Sequence, residues 1–119
     1  FLCVFRHPAE TADSVLRECR RASYLKTLAM DFDRAVDVWT LMYRRVLVER
    51  SRGSWLFVHY EQIFTEGGLD RIAGFVEADV DRDFPERALR RSQSDRQLPG
   101  RTLNLYEELC RIAGFNPSG

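Results

Sequence analysis

The chain has 119 residues, 45% apolar and 30% charged, and its 18 basic and 18 acidic residues balance to a formal charge of zero. These fractions are ordinary for one globular domain with a modest core. The neutral balance argues against broad electrostatic binding to nucleic acid, and no apolar run reaches the length of a membrane span.

Phe1–Phe5 is a continuous apolar run of the kind that forms a buried strand, and it stops at Arg6-His7-Pro8. Proline interrupts a strand and suits the entry to a helix. From Thr11 to about Leu25, the residues Ala12, Val15, Leu16, Cys19 and Ala22 recur at helical spacing, while Arg17, Glu18, Arg20 and Arg21 fall on the outer side. Thr11 or Glu10 is placed to cap that helix. Asp31 or Asp33 opens the next helix, whose 3.6-residue stripe runs through Phe32, Val36, Trp39, Tyr43 and Leu47 and ends near Ser51-Arg52-Gly53. Trp39 is its expected core anchor. Trp55–Tyr60 reads as a second strand, apolar on both parities, as expected of a strand covered on both faces. Glu61–Phe64 is a short turn closed by Gly67-Gly68, and Leu69, Ile72, Ala73, Phe75 and Val76 mark a short helix. Asp79–Phe84 reads as a connector, and 90–101, with Pro99-Gly100, as a surface loop. Thr102–Ala113 is a closing amphipathic helix.

Two strands joined through helices imply a parallel βαβ crossover and an α/β fold. Two strands alone make a poor sheet, so both are expected to neighbour strands that this chain does not contain. Residues 1–119 therefore read as a segment of a larger α/β domain, or as a chain that completes its sheet through a partner, a second copy included. Cys3, Cys19 and Cys110 are widely spaced, with no C-x-x-C pair, and read as buried free thiols of a reducing, cytoplasmic compartment. With only His7 and His59 beside them, a metal site is not expected. Lys26 is the single lysine, so a lysine-dependent phosphate loop has one residue to draw on.

Ligands of open α/β sheets bind beyond the carboxyl ends of the strands. Arg6 and Tyr60 occupy those ends, and Ser14 lies in the first turns of the following helix, where backbone N–H groups favour anions. An arginine can grip a phosphate in bidentate fashion, each charge-assisted bond contributing about 1.5–3 kcal/mol. Two readings of these residues stand at this point. Arg6 and Ser14 form an anion grip, or Arg6 pairs with a carboxylate and Ser14 merely opens a helix. His7 reads as a turn residue and His59 as a packed or paired histidine.

The V-F-R-H-P-x-x-x-x-x-S pattern of Val4–Ser14 resembles the 3′-phosphate-binding segment of the PAPS-dependent sulfotransferases, PAPS being 3′-phosphoadenosine 5′-phosphosulfate. Trp39-x-x-x-Tyr43, the strand W-L-F-V-H-Y-E at Trp55–Glu61, the helix at Leu69–Asp81, and the tail segments Ala88–Ser92 and Leu105–Leu109 follow in the family's order, the tail being most similar to bacterial members.

The resemblance implies a P-loop NTPase-like sulfotransferase fold, here a mostly helical segment with two parallel strands at about 1–6 and 55–60. Residues 1–119 would form the C-terminal part of a single sulfotransferase domain. It implies transfer of a sulfuryl group from PAPS to a hydroxyl or amine, with a small-molecule or carbohydrate acceptor. Arg6 and Ser14 would bind the 3′-phosphate of PAPS or of its product PAP, and Tyr60 would contact the adenine. Arg91 and Ser92, with Arg90, would fall where the family has a basic loop over that phosphate. Glu61 would be a structural acceptor that ties down the turn after the strand. No catalytic residue and no metal are assigned to this chain. The family's 5′-phosphosulfate loop and catalytic base are expected upstream of the segment that Arg6 matches, so the isolated chain is expected to be inactive. The chain lacks the R-K-G element and the G-x-x-G-x-x-K signature of cytosolic eukaryotic members. The alternative is a noncatalytic interaction module that completes a partner's sheet or self-associates.

Overall fold

The computed structural model describes residues 1–21, 30–77 and 97–117. In chain order the elements are strand β1 (Leu2–Phe5), helix α1 (Pro8–Arg21), helix α2 (Phe32–Glu49), strand β2 (Leu56–His59), helix α3 (Glu66–Val76) and helix α4 (Gly100–Ala113). Short 3-10 turns at Arg50–Arg52 and Tyr60–Phe64 follow α2 and β2. Lys26, Arg90, Arg91, Ser92 and the connector at 79–84 lie outside the described residues. No helix among the described residues is long and apolar enough to cross a membrane.

β1 and β2 pair in parallel, with Leu2 opposite Leu56 and Phe5 opposite His59. The expected crossover is therefore present, and the molecule is a mostly helical α/β arrangement around a two-stranded parallel sheet. Cys3, Phe5 and Phe57 share one face of that sheet. They pack there with Trp39 and Tyr43 of α2 and with Leu105, Tyr106, Leu109, Cys110 and Ala113 of α4. Trp39 is 2% exposed, as its place in the α2 stripe requires. A second cluster of Ala12, Ala35 and Val36 joins α1 to α2. Inside the α2–α4 contact, buried Thr40 and Thr102 hydroxyls lie 2.8 Å apart. Thr40 Oγ1 donates its only proton to the Val36 carbonyl, so Thr102 must be the donor between them.

Four expectations change. First, α1 begins at Pro8 and not at Thr11. Proline suits the first helical position, and His7 is the residue that closes the helix end: its Nδ1 accepts from Ala9 N–H and its carbonyl from Thr11 N–H. Second, Gly67 and Gly68 do not end a turn but lie in the first turn of α3, capped by the Thr65 hydroxyl, which accepts from Gly68 N–H at 3.0 Å. A Cβ on Gly68 would run into the Gln62 carbonyl oxygen, so glycine is there for a close approach. Third, only β2 is covered on both faces. Phe57, Val58 and His59 are buried, whereas Leu2 and Val4 on the outer face of β1 are each 41% exposed. Fourth, Cys3 and Cys110 are buried free thiols as expected, but Cys19 is only half-buried.

Asp31 does cap α2, its carboxylate accepting from Arg34 N–H at 2.8 Å. That bond, of a type that stabilises a helix end by about 1 kcal/mol, fixes where the crossover turns back toward the sheet.

Candidate functional site

Parallel pairing in this register brings the residues after each strand, Arg6 and Tyr60, off the same edge of the sheet. The Arg6 guanidinium lies over the Tyr60 ring, 4.6 Å from its centroid. A cation in that position gains about 0.5–2 kcal/mol from the ring. Phe64 supports the same ring edge-on at 5.3 Å. One face of Tyr60 is thus taken by Arg6, and an adenine would have to use what remains of the ring.

Arg6 also faces a carboxylate. Its Nε is 3.6 Å from Glu10 Oε2, one helical turn on, and Glu10 is 6% exposed. That distance is ionic contact and too long for a hydrogen bond. Arg6 Nε and Nη2 are both buried and lack a hydrogen-bond partner among the described residues. A buried donor left unpaired costs about 1–3 kcal/mol, more when charged. Arg6 therefore has the carboxylate neighbour of the second reading, and two of its donors have no hydrogen-bond partner among the described residues. Glu10 was not among the candidate site residues. Its signal was the Arg6-x-x-x-Glu10 spacing, which is hard to see because Arg6 is not itself helical.

Ser14 stands in the second turn of α1, one turn beyond Glu10. It is past the first-turn N–H groups that lack partners inside the helix, so it can contribute only through its hydroxyl. That hydroxyl accepts a hydrogen bond from Arg17 Nη2 at 3.1 Å. Helical periodicity places Glu10 and Ser14 on one side of α1, continuing the line from Arg6.

The two histidines repeat one device. His59 Nδ1 accepts from Glu61 N–H at 3.0 Å, as His7 Nδ1 does from Ala9 N–H at 3.1 Å. Each strand end is thus turned into the next segment by an imidazole cap. An Nδ1 that accepts carries no proton, so the proton of a neutral ring sits on Nε2. In His59 that Nε2–H donates to the Tyr106 hydroxyl at 2.9 Å, and the ring stacks on Phe115 at 3.8 Å. The sequence reading of His59 as packed or paired is met on both counts. The turn after β2 is tied by Gln62, whose Oε1 accepts from His59 N–H while its Nε2 donates to the Ala113 carbonyl. In that turn Glu61 donates its backbone N–H to His59, and the Gln62 side chain accepts from the His59 N–H. His7, Glu10, His59, Glu61, Tyr106 and Phe115 line a cavity of about 20 Å³, which has room for no more than a water.

Burial favours the neutral forms of His7, Tyr106 and Cys3. It lowers His7 below the usual imidazole range. It raises the Tyr106 phenol, with the nearby Cys110 and the carboxylates of Glu10 and Glu61 adding to the shift. It pushes the Cys3 thiol up to about 11. The thiolate is the nucleophilic form of cysteine, and burial favours the protonated thiol at Cys3. No group of three or more His, Cys, Asp or Glu among the described residues could hold a metal ion. No family model, no curated protein and no solved structure matches this chain.

The candidate residues thus divide into three sets. Arg6 and Tyr60 are brought into contact. Ser14 is on the helix that leaves the same strand end but is engaged by Arg17. Arg91 and Ser92 fall outside the described residues. Arg17 was read only as an outward-facing residue.

Proposed function

We propose that this chain forms the nucleotide side of the donor site of a PAPS-dependent sulfotransferase with a P-loop-type α/β fold. The observation that carries the reading is Arg6. It is a partly buried arginine at the carboxyl end of a parallel strand, held by an aromatic ring and a carboxylate, with two buried guanidinium nitrogens that lack a hydrogen-bond partner among the described residues. A phosphate monoester presents several acceptor oxygens to such a group and matches its planar geometry. Arg6 and the Ser14 hydroxyl then hold the 3′-phosphate, and Tyr60 borders the adenine. In this reading the described residues position the donor. The acceptor class in this reading is a hydroxyl or amine on a carbohydrate or another small molecule.

Sulfuryl transfer depends on in-line positioning and on stabilising charge at the leaving group. Holding the far end of the donor contributes to the first of these. A remote grip of this kind raises the rate only insofar as it fixes the reacting end.

The test is nucleotide discrimination by the full-length protein. PAP is expected to raise the melting temperature well above the shift given by AMP, which lacks the 3′-phosphate. Arg6→Ala is expected to abolish the difference. Equal responses to PAP and AMP in the parent protein would sink the reading.

A second reading has its own observation. Leu2 and Val4 on the outer face of β1 are exposed apolar residues, as are Val38, Leu41, Met42 and Val48 along the outer side of α2. They suit a noncatalytic module that completes a partner's sheet or self-associates. That reading predicts concentration-dependent assembly with no preference for PAP.

A further inference from the structure

We propose that Arg17 is a further ligand of the same anion, acting both on the phosphate and through Ser14; this rests on the donor-site reading above. At 3.6 residues per turn, Glu10, Ser14 and Arg17 fall within about 60° of one another around α1 and within about 10 Å along it. Arg6 meets Glu10 at the foot of that face. The face therefore runs arginine, carboxylate, hydroxyl, arginine. A serine hydroxyl has one proton and two lone pairs. Arg17 Nη2 donates to Ser14 Oγ at 3.1 Å, which uses a lone pair and leaves the hydroxyl proton to donate. An acceptor is thereby turned toward the role of donor, as an anion requires.

Charge points the same way. Glu10 sits beside Arg6 and offsets part of its positive charge. A phosphate monoester carries nearly two negative charges near neutral pH. Arg6 alone, with Glu10 beside it, is a poor electrostatic match for a dianion. Arg17 adds a second positive charge on that face of α1, where Asp13 stands one turn before it. Its side chain is exposed, so it can swing from Ser14 to a phosphate oxygen without leaving a buried group behind. The inferred specificity is for a nucleotide bearing a 3′-phosphate over one bearing only a 5′-phosphate.

Calorimetric titration of the full-length protein with PAP and with AMP tests this. Arg17→Ala is expected to weaken PAP binding about tenfold, a loss of about 1.4 kcal/mol, and to leave AMP unchanged. Arg17→Lys, which keeps the charge but not the forked donor, should recover part of the loss. In a Ser14→Ala background the cost of Arg17→Ala should shrink, because part of its effect passes through the hydroxyl. Arg20→Ala removes an equal charge from a helix position about 120° from Ser14 and should leave PAP affinity within twofold. If Arg6→Ala weakens PAP while Arg17→Ala does not, the proposal for Arg17 is wrong and the donor-site reading stands. If the parent protein does not prefer PAP to AMP, both fall. Equal losses from Arg17→Ala and Arg20→Ala would reduce the effect to general charge and overturn the assigned role.

Discussion

The two strands of this sheet end in the same way and are held very differently. Each delivers one side chain to the carboxyl edge and carries a histidine that caps the segment beyond it. The end of β2 is buried and clamped. His59 is 2% exposed, bonds to Tyr106, stacks on Phe115 and shares the turn with Gln62. The carbonyl of Ala113 at the end of α4 takes hydrogen bonds from both Gln62 and Arg71, which fastens α4 to this corner. The end of β1 is looser. Its outer face is exposed at Leu2 and Val4, His7 is half-buried, and Arg6 is secured by a ring face and an ionic contact beyond hydrogen-bond length. One strand end is a fixed platform, and the other carries donors able to meet a ligand. Sites work best when reactive or binding groups rest on a rigid support, and for the proposed donor site that support would be the neighbouring strand.

Substitutions at the two histidines should break that comparison if it is wrong. His59→Ala removes a buried side chain, leaves the Glu61 N–H without its cap and strips the Tyr106 hydroxyl of its donor. The expected loss is about 3 kcal/mol of folding stability, read from the midpoint of urea unfolding. His7→Ala removes one partly buried cap, for an expected loss of about 1 kcal/mol. Equal losses would mean that the two ends are supported alike. Next in size is Gly68→Ala. Its Cβ would meet the backbone carbonyl of Gln62, so either the β2 turn or the start of α3 must move. The expected cost is about 1–3 kcal/mol. Gly74→Ala, with open space around the new methyl group and a helical position that favours alanine, should be neutral or stabilising in the same assay.

The contrast also explains what could be read from the amino-acid order. Strand β2 was legible because six consecutive apolar or aromatic positions leave few alternatives, and α2 because Asp31 and the Trp39 stripe mark its start and its inner face. Once the strands are taken as parallel, the meeting of Arg6 and Tyr60 follows from register. The start of α1 was not legible: the cap is an imidazole, and His7 looks like any turn residue. Glu10 sat on no apolar stripe, so its burial beside Arg6 required the third dimension. Gly67-Gly68 looked like a stop because glycine pairs usually are, whereas here one glycine exists to let the Gln62 carbonyl approach. The apolar run of β1 read as covered on both faces because apolar composition reports what could be buried, not what is.

The smallest expected effect concerns acid. His7 accepts a backbone N–H at Nδ1 and is lowered below the usual imidazole range by burial. Above about pH 6.5, the ordinary imidazole value, both folded and unfolded chains hold His7 neutral, and its contribution to stability is complete. As the pH falls below that value the unfolded chain takes up a proton first. Stability is then lost until the folded-state value is passed, with a slope from this group of no more than about 1.4 kcal/mol per pH unit. His7→Asn keeps a side-chain acceptor of the kind favoured at helix starts and removes the titration. Unfolding free energies from pH 7.5 down to pH 5 should therefore fall less steeply in His7→Asn than in the parent. If the two slopes are the same, His7 is not what makes the β1 end sensitive to acid, and the looseness of that end must be sought in the Arg6–Glu10 contact instead.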